Sequence, residues 1–513
     1  MKHQRQASDS ERTNRHATDQ YCSWGEAIRR HATRLGDAIA LVTPQGETSW
    51  TQLDKLATRL GHLYLQRGIR EEQLVAIGLP NGLDCIVAVL ACWKVGATPL
   101  VLPKGLVSSE LSAILQVATP ALLVGDPEGL RDASHPTTVE RILQPLEDSR
   151  SHPDAELPER VSTYCRATCS GGSTGIPKVI VDHTVTSCDP TAGMYTVPAG
   201  SVTLVPGPLS HSGPFLNSFW TLLGGGRLVL MERFDAEQTL QLIQTQKPAY
   251  LGLVPTMMLR IWRLPESLRN SFDISSLQRV VSSGAPCPPW LMRAWIEWLG
   301  PERMFEAYGA SERVGGTLIS GTEWLRHPGS VGKPTLGRKI RIVGPDGTEM
   351  PEGQIGQVYL HNGDDKATDS FHYLGTAPQR NEQGWVTLGD LGYTDAEGYL
   401  YLADRNTDMV VTGGVNVYPA EVEAAIEAWP GVLNAVVIGL PDEDLGQRLH
   451  AIIETADACT GENPALESFL EERLSRYKIP RSYEWVTEAL RNEAGKVRRG
   501  ALRAQRLTDV RKM

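Results

Sequence analysis

A segment rich in glycine and hydroxyl residues runs from Thr168 to Lys178. Its candidate phosphate-binding residues are Ser170, Gly171, Gly172, Ser173, Thr174, Gly175 and Lys178. Glycines let several backbone N–H groups point toward one ligand, the hydroxyls add donors, and Lys178 adds a positive charge. The segment therefore predicts a loop that wraps the phosphates of ATP, although a flexible glycine–serine connection has the same composition. It is neither a Walker A loop nor a G-x-G-x-x-G turn.

Two further segments carry residues suited to a nucleotide. The first is Ser283, Gly284, Ala285 and Pro286, and the second runs from Phe305 to Glu312 with the letters FEAYGASE. Tyr308 offers a flat face for adenine, and Gly309 permits close backbone approach. Ser311 can bond an α-phosphate, and the Glu312 carboxylate is a hard oxygen ligand of the kind that Mg²⁺ takes. Taken alone, the second segment also fits a core tyrosine followed by a solvent-facing acid.

In their order along the chain, these segments resemble the signatures of the ANL superfamily, which comprises acyl-CoA synthetases, nonribosomal peptide adenylation domains and luciferases. The loop follows the family pattern (S/T)-(S/G)-G-(S/T)-T-G-x-P-K-G, with Val179 in place of the last glycine. The resemblance extends from about Trp50 to Arg498. It implies an acid–thiol ligase that uses ATP and Mg²⁺ to activate a carboxylic acid as an acyl-adenylate and then forms a thioester with coenzyme A.

The same resemblance assigns roles to residues farther along the chain. Asp390 ends a segment similar to the family's W-x-x-(T/S)-G-D, in which Leu388 stands where the family has Thr or Ser. By this resemblance the Asp390 carboxylate would bind the ribose hydroxyls. Arg405 would bind ribose or phosphate. Thr407 falls at the hinge of the small C-terminal domain, where the family usually carries Lys or Asp.

Two glycines and one lysine complete the implied site. Gly413 and Gly414 begin a segment close to the family's G-G-x-N-(I/V)-x-P-x-E-(I/V)-E, which lines the channel for the coenzyme A thiol. A plain turn before a helix with Pro419 in its first turn is the competing interpretation. Lys496 lies in a segment similar to G-K-(V/I/L)-x-(R/K) and would bridge the substrate carboxylate and the α-phosphate. Tail lysines are more often solvated.

The candidate acid pocket is lined by small residues beside one histidine. His211 occupies the family's substrate-side segment as a gate or wall, unless it is a buried histidine satisfied by backbone groups. The other candidates lie near the nucleotide motifs and are Gly284, Ala310, Val314 and Gly315. No charged residue clearly faces an amino-acid ammonium group, so the pattern favours a bulky apolar acid, aryl or polycyclic.

Hydrophobic periodicity predicts the elements that position these residues. Up to about residue 129, and again between residues 202 and 282, short apolar strands alternate with helical patterns, as in βαβ units with a parallel sheet. Short strands and turns between residues 340 and 402 predict an antiparallel sheet appended to this body. The fold class is α/β: a large N-terminal domain over residues 1–404, made of parallel-sheet subdomains plus an antiparallel subdomain, and a small mobile α+β domain over residues 408–513. A polar surface connection is expected over residues 131–160.

Composition limits the remaining functions. The net charge of −10 argues against a nucleic-acid partner, and the longest apolar run, Cys85 to Trp93, is about half of what a bilayer crossing needs. The polar first twenty residues read as a disordered tail without a secretory signal. Eight cysteines without C-x-x-C pairs fit reduced cytoplasmic thiols, and Cys165 and Cys169 lack a second pair to complete a metal site.

Two other functions stay open at this point. A stand-alone adenylating enzyme could pass the acyl group to a carrier-protein phosphopantetheine in trans, because the chain shows no carrier domain of its own. A non-catalytic acyl-nucleotide-binding protein is a remoter possibility, since Lys178, Glu312 and Lys496 are all present. Release of pyrophosphate would separate it from both enzymes.

Overall fold

The computed structural model describes residues 20–106, 108–127, 139–170, 178–194, 196–363, 370–381, 383–405, 408–412, 415–442, 444–456, 464–492 and 495–510. Ser170 and Arg405 are placed through their backbone positions. The expected disordered tail lies outside the described residues, apart from Gln20. Thr407, predicted to fall at the hinge, also lies outside them.

The first part of the chain alternates strands and helices. In order, its elements are β1 (Cys22–Ser23), α1 (Trp24–Leu35), β2 (Ile39–Thr43), β3 (Gly46–Ser49), α2 (Trp50–Gln66), β4 (Leu74–Gly78), α3 (Leu83–Lys94), β5 (Thr98–Val101), α4 (Ser108–Ala118), β6 (Leu122–Gly125), β7 (Glu140–Ile142), α5 (Pro145–Asp148), β8 (Arg166–Ser170), β9 (Lys178–Asp182) and β10 (Ser187–Cys188). The expected surface connection therefore contains a short strand and a short helix. Strand β7 pairs parallel with β6 through residues such as Ile142, which is buried.

The second part continues the α/β pattern and ends in antiparallel strands. Its elements are β11 (Val202–Val205), α6 (Ser212–Leu223), β12 (Arg227–Leu230), α7 (Ala236–Gln246), β13 (Tyr250–Leu253), α8 (Pro255–Trp262), α9 (Glu266–Arg269), β14 (Arg279–Ser283), α10 (Pro289–Leu299), β15 (Met304–Tyr308), β16 (Thr317–Ser320), α11 (Gly321–Trp324), β17 (Ser330–Pro334), β18 (Lys339–Val343), β19 (Gly356–His361), β20 (Phe371–Leu374), β21 (Val386–Thr394) and β22 (Leu400–Arg405).

The C-terminal part is a smaller α+β unit. It comprises β23 (Val410–Thr412), β24 (Val415–Val417), α12 (Pro419–Glu427), β25 (Val432–Asp442), β26 (Gly446–Thr455), α13 (Pro464–Glu471), a 3₁₀ helix at Arg476–Lys478, β27 (Ser482–Val486) and α14 (Arg499–Val510). Strands β25, β26 and β27 form its sheet.

Two large sheets organise the N-terminal part. Among the described residues, one sheet has seven strands in the order β20-β9-β8-β5-β4-β6-β7, and the other has thirteen in the order β18-β19-β21-β22-β17-β16-β15-β14-β13-β11-β12-β2-β3. The α/β class is confirmed. The strands expected as an appended antiparallel sheet instead continue the main sheet, because β16 pairs antiparallel with β15 and with β17, and β17 pairs with β22.

Local sequence signals explain the helices that pack between the two sheets. Helix α2 begins with a capping box, in which the Ser49 hydroxyl accepts from the backbone N–H of Gln52 and the Gln52 side chain accepts from the N–H of Ser49. Helix α3 is apolar on all sides, and every residue from Cys85 to Trp93 is buried. Among the described residues, no helix is both long and apolar enough to cross a membrane.

Candidate active site

The predicted phosphate loop leaves the edge of the seven-stranded sheet. Residues 171–177 lie outside the described residues, and with them the candidates Gly171, Gly172, Ser173, Thr174 and Gly175. Their two anchors are described: Ser170 ends β8 and Lys178 begins β9, and the two residues are direct partners across this antiparallel pair. The two strands on either side of the predicted loop, β8 and β9, are therefore adjacent and form an antiparallel hairpin. Before it, the Thr168 hydroxyl donates to the backbone oxygen of Ser210 at 3.2 Å, which ties the hairpin to the segment before α6.

Lys178 and Glu312 approach each other through Tyr373. The Tyr373 hydroxyl donates to Oε1 of Glu312 at 2.7 Å, and the Lys178 Nζ lies 5.2 Å from the centre of the Tyr373 ring. Burial and the adjacent Glu312 carboxylate raise the pKa of Tyr373, so its hydroxyl stays a donor. Sequence reasoning missed this tyrosine because no motif surrounds it. It is on β20, whose pairing with β9 brings it to the phosphate loop.

Ser311 is joined to the beginning of α6. Its hydroxyl oxygen lies 2.6 Å from that of Ser212, the first residue of the helix, and His211 is the residue before it. Ser212 was part of the substrate-side segment but had no predicted role. The contact brings the segment after β15 together with the segment before α6.

Tyr308 and Asp390 also meet. The Tyr308 hydroxyl donates to Oδ2 of Asp390 at 2.7 Å, across the step from β15 to β21. Gly309 is exposed, and a Cβ at this position would meet no described atom within 4 Å. Space therefore remains beside Gly309, as the predicted adenine position requires. Arg405 is the backbone partner of Asp390 in the β21–β22 pair, so both ribose candidates are at one place.

The segment Ser283 to Pro286 follows β14 at the carboxyl end of the main sheet. Gly284 has φ +86°, a left-handed conformation that glycine adopts without strain, and a Cβ there would be 3.4 Å from Val254 Cγ1. Ser283 and Ala285 are half-buried, whereas Gly284 and Pro286 are exposed. This segment therefore borders the same edge of the sheet as Tyr308.

Two acid-pocket candidates have packing partners in the structure. Val314 is buried in a cluster with Val331, Ile342 and Leu360. Gly315 has φ +73°, and a Cβ on it would lie 2.8 Å from two carbon atoms of Leu360. Both face the antiparallel part of the main sheet. Of the other predicted wall residues, His211 and Ala310 are half-buried and Gly284 is exposed.

Lys496 reaches the site from the C-terminal domain. Its backbone N–H donates to Oδ1 of Asn492 at 2.9 Å, closing a turn in which Gly495 has φ +73°. Gly495 packs so closely that a Cβ would be 2.9 Å from the Thr256 hydroxyl oxygen. Burial, and secondarily the positive charge of Lys496, lower the pKa of His211 to about 4. His211 is therefore neutral at physiological pH and faces an ammonium group from the other domain.

Two more contacts hold the C-terminal domain in this position. The Arg263 guanidinium donates to the backbone oxygens of Glu427 at 2.9 Å and Trp429 at 3.2 Å, and Arg498 pairs with Glu110 at 2.9 Å.

Gly413 and Gly414, the predicted thiol channel, lie outside the described residues. In the sequence they fall between β23 and β24, whose adjacent ends, Thr412 and Val415, are direct partners in this antiparallel pair.

A buried ion cluster supports the loop after Tyr308. Arg166 and Asp182 are each 1% exposed and 3.4 Å apart, and Arg313 lies 3.7 Å from the same carboxylate oxygen. Burial would raise the pKa of Asp182, but the two guanidinium groups hold it below its usual value. Arg313 has φ +54°, so the ion cluster stabilises an uncommon backbone conformation directly after Glu312. No local sequence pattern predicts this ion cluster.

Comparison with known proteins identifies the family of the chain. Residues 28–364 match the family model described as AMP-binding enzyme, and residues 421–496 match that of the AMP-binding enzyme C-terminal domain. The chain belongs to the AMP-binding enzyme family. The resemblance to ANL-superfamily enzymes of the acyl-CoA synthetase type is thereby confirmed.

Individual relatives cover almost the whole chain. The long-chain-fatty-acid–CoA ligase FadD13 of Mycobacterium tuberculosis (strain CDC 1551 / Oshkosh) is 29% identical, over 95% of this chain and 99% of its own. The feruloyl-CoA synthase of an Amycolatopsis species is 27% identical, over 89% and 93%. The structure of the anthranilate CoA ligase AuaEII in complex with anthranoyl-AMP has a TM-score of 0.79 at 24% identity, over 95% and 97%, which shows the fold.

Proposed function

We propose that this chain activates a carboxylic acid with ATP, releases pyrophosphate, and transfers the acyl group to coenzyme A. The observation that carries the proposal is the meeting of two domains at one point. Lys496 of the C-terminal domain acts on His211, and the neighbouring Ser212 bonds Ser311, next to Glu312. A lysine, a carboxylate and two hydroxyls at the carboxyl end of a parallel sheet suit a reaction at a phosphate.

The nucleotide would lie between the phosphate loop and the loop after β15. Ser170 to Gly175 and Lys178 would hold the β- and γ-phosphates, and the segment Ser283 to Pro286 would border adenine. Tyr308 would present its ring to adenine while its hydroxyl orients the Asp390 carboxylate toward the ribose. Arg405, on the neighbouring strand β22, would bind the ribose or a phosphate. The 2.7 Å bond between Tyr308 and Asp390 supports this pairing.

Glu312 fits a magnesium ligand. One of its carboxylate oxygens accepts from Tyr373, and the other has no hydrogen-bond donor among the described residues. One carboxylate beside substrate phosphates is the donor set that Mg²⁺ usually takes in ATP-dependent enzymes. Bound Mg²⁺ would offset negative charge on the phosphate oxygens. Tyr373 fixes the direction of the Glu312 carboxylate.

In the first step a carboxylate oxygen of the acid attacks the α-phosphorus, and the bond from that phosphorus to the bridging oxygen breaks, releasing pyrophosphate. Lys496 would stabilise the charge shared between the carboxylate and the α-phosphate. His211, being neutral, forms one wall beside the carboxylate without competing for that charge.

In the second step the thiol of coenzyme A attacks the acyl carbonyl carbon, the carbon–oxygen bond to AMP breaks, and the thiol proton leaves to solvent. A rotation of the C-terminal domain about residues 405–408 would withdraw Lys496 and bring Gly413 and Gly414 to the site. The domain boundary, residues 1–404 and 408–513, is part of this proposal. A carrier protein presents the same pantetheine arm and is the alternative acceptor.

The acid is proposed to be apolar and aryl-sized or larger, bordered by His211, Gly284 and Ala310. The relatives differ in their acids, since one is named for a long-chain fatty acid and another for feruloyl. A cytoplasmic location, expected from the unpaired cysteines, belongs to the same proposal.

The test is a pyrophosphate-release screen over a library of acids, run with and without coenzyme A. An adenylating enzyme releases pyrophosphate with at least one acid. A non-catalytic binding protein would release none with any acid, and that result would overturn the proposal.

A further inference from the structure

The turn that carries Lys496 lies between two arginines of the C-terminal domain. Arg491 precedes the turn, and Arg499 follows it as the first residue of α14. Both side chains are mostly buried, with exposed fractions of 14% for Arg491 and 13% for Arg499. A buried guanidinium group needs carboxylates and backbone oxygens as partners, because burial removes the water that would otherwise solvate its charge. The partners of these two arginines therefore show what the turn is attached to.

Two carboxylates on helix α12 hold these arginines. The Arg491 guanidinium donates to Oε2 of Glu423 at 3.3 Å and lies 3.7 Å from Oε1 of Glu427. Arg499 donates to the other carboxylate oxygen of Glu423 and also lies 3.3 Å from a carboxylate oxygen of Asp408. Burial would raise the pKa of Glu423, but the two guanidinium groups hold it below its usual value. The Glu423 carboxylate is therefore charged and shared by both arginines.

Strand β25 fixes the direction of the same two carboxylates. The backbone N–H of Val437 donates to Oε1 of Glu423 at 2.7 Å, and the backbone N–H of Ala435 donates to Oε1 of Glu427 at 3.2 Å. Both glutamates are buried, so these bonds are not exchanged for bonds to water. Helix α12 thus presents two oriented carboxylates to the arginines that flank the Lys496 turn.

Arg491 also contacts the turn itself. Its Nη1 donates to the backbone oxygen of Gly495 at 3.4 Å, and its Nη2 donates to the backbone oxygen of Ala435 at 3.3 Å. The turn is closed by Asn492, whose backbone N–H donates to the backbone oxygen of Lys496 at 3.0 Å. A guanidinium group is planar and donates in fixed directions, so one end of it can set the position of the other. Arg491 therefore joins helix α12 to the residue directly before Lys496.

Helix α12 is also the element on which the N-terminal domain docks. Arg263 donates to the backbone oxygens of Glu427 and Trp429, at the carboxyl end of the helix, where a positive charge is favoured. Glu427 is therefore held from two sides: its backbone oxygen by Arg263 of the N-terminal domain, and its carboxylate by the ion network around Arg491. Domain docking and the Lys496 turn are connected through this one residue.

We infer that Arg491 is a positioning residue for adenylation, which orients the turn so that the Lys496 ammonium group reaches the reacting carboxylate and phosphate. The inference rests on the proposed adenylation and goes beyond it by assigning a role to the ion network on α12. Arg491 acts through Lys496, and Lys496 is withdrawn in the second step of the proposed reaction. Loss of Arg491 should therefore affect adenylation and spare thioester formation. A network that only stabilised the C-terminal domain would affect both steps equally, since both need that domain.

The experiment measures the two steps separately in full-length variants. ATP–pyrophosphate exchange is followed with whichever of benzoate, cinnamate and dodecanoate gives the fastest pyrophosphate release in the wild-type enzyme, and thioester formation is followed from the synthetic adenylate of the same acid. Arg491→Met removes the guanidinium and keeps an unbranched side chain. We expect its kcat for exchange to fall about 10- to 100-fold, the effect of displacing a reacting group by about 1 Å. The KM for ATP and the rate of thioester formation should stay within about threefold.

Glu427→Gln is the second variant. It keeps an oxygen that can accept from the N–H of Ala435 and removes the negative charge beside Arg491. Because burial raises the pKa of Glu427 to about 7, both variants are assayed at about pH 8, where the wild-type carboxylate is charged. We expect exchange to fall about three- to tenfold, again with thioester formation preserved, because one partner of the Arg491 guanidinium is weakened.

Arg506→Met is the matched control. Arg506 belongs to the same domain and its side chain is also 14% exposed, but it pairs with Glu484 on β27, at 2.7 Å, instead of with α12. We expect both steps to stay within about threefold in this variant. Thermal melting shows which variants are folded, and Glu427→Gln decides the matter if Arg491→Met is not. Unchanged exchange in a folded variant, or equal loss of both steps, would overturn the inference. If the wild-type enzyme released no pyrophosphate with any acid, the proposed function itself would fall.

Discussion

The substitution Lys496→Ala separates the two steps of the proposed reaction. The turn that carries Lys496 is held by hydrogen bonds from the Lys496 backbone to Asn492 and by the packing of Gly495 on Thr256, so removing the Lys496 side chain leaves the turn in place. The positive charge of Lys496 acts on His211, and we propose that it also acts on the reacting carboxylate and phosphate. Removing one positioned charge of this kind costs about 3 kcal/mol or more, a factor of about 10² to 10³ in rate.

The assay measures the two steps independently. ATP–pyrophosphate exchange reports adenylation, and conversion of a supplied acyl-adenylate with coenzyme A reports thioester formation. We expect Lys496→Ala to lose exchange by the factor above and to keep thioester formation within a few-fold. Arg498→Ala is the control, because its exposed ion pair with Glu110 contributes less than about 1 kcal/mol. Exchange that survives Lys496→Ala within a few-fold would refute the assigned role.

Three further predictions test the supports of the site. Tyr373→Phe removes the donor to Glu312 and should lower kcat/KM for Mg·ATP about tenfold, the value of one hydrogen bond to a charged group; an unchanged value would remove Tyr373 from the site. Gly315→Ala should destabilise the fold by about 1–3 kcal/mol in denaturant unfolding, because its Cβ would clash with Leu360 and the backbone has φ +73°. Gly309→Ala, whose Cβ would meet no described atom, should change stability by less than about 0.5 kcal/mol and raise the KM for ATP. Equal losses of stability in the two variants would contradict the geometry. The pKa of His211 is lower in the folded protein than in the unfolded chain, so the unfolded chain binds more protons between pH 6.5 and about 4. The free energy of unfolding therefore decreases as pH falls through that window. His211→Leu should flatten this part of the curve of stability against pH, and an unaltered slope would exclude His211 as its source.

The sequence predicted much of the fold because its hydrophobic runs are short and bounded by turn residues. The alternation of strands and helices predicted between residues 202 and 282 is present, and it includes the strands Val202–Val205 and Arg227–Leu230. The α/β class and the small C-terminal unit are likewise confirmed. The continuity of the main sheet could not be read from local pattern, because it depends on the pairing of β16 with strands on either side.

The site likewise combines residues that local motifs predict with contacts that depend on the pairing of distant strands. Motif spacing identified Tyr308 and Asp390 separately, but their hydrogen bond joins residues 82 positions apart. Tyr373 had no local signal, because its role comes from pairing with a distant strand. Small residues after Glu312 were interpreted as pocket wall, which stays a prediction, and at Gly315 a Cβ would also lie 2.8 Å from Leu360. A run of small residues looks the same whether it makes room for a ligand or for a neighbouring strand.

The central claim is that one polypeptide forms an acyl-adenylate and then an acyl-CoA. The most direct measurement incubates the wild-type enzyme with Mg·ATP, coenzyme A and an aryl acid that releases pyrophosphate, and follows the products by mass spectrometry over time. If coenzyme A is the acceptor, AMP and acyl-CoA accumulate in equal amounts, with acyl-adenylate present only transiently. Acyl-adenylate that accumulates without acyl-CoA would contradict coenzyme A as the acceptor and indicate a separate carrier protein.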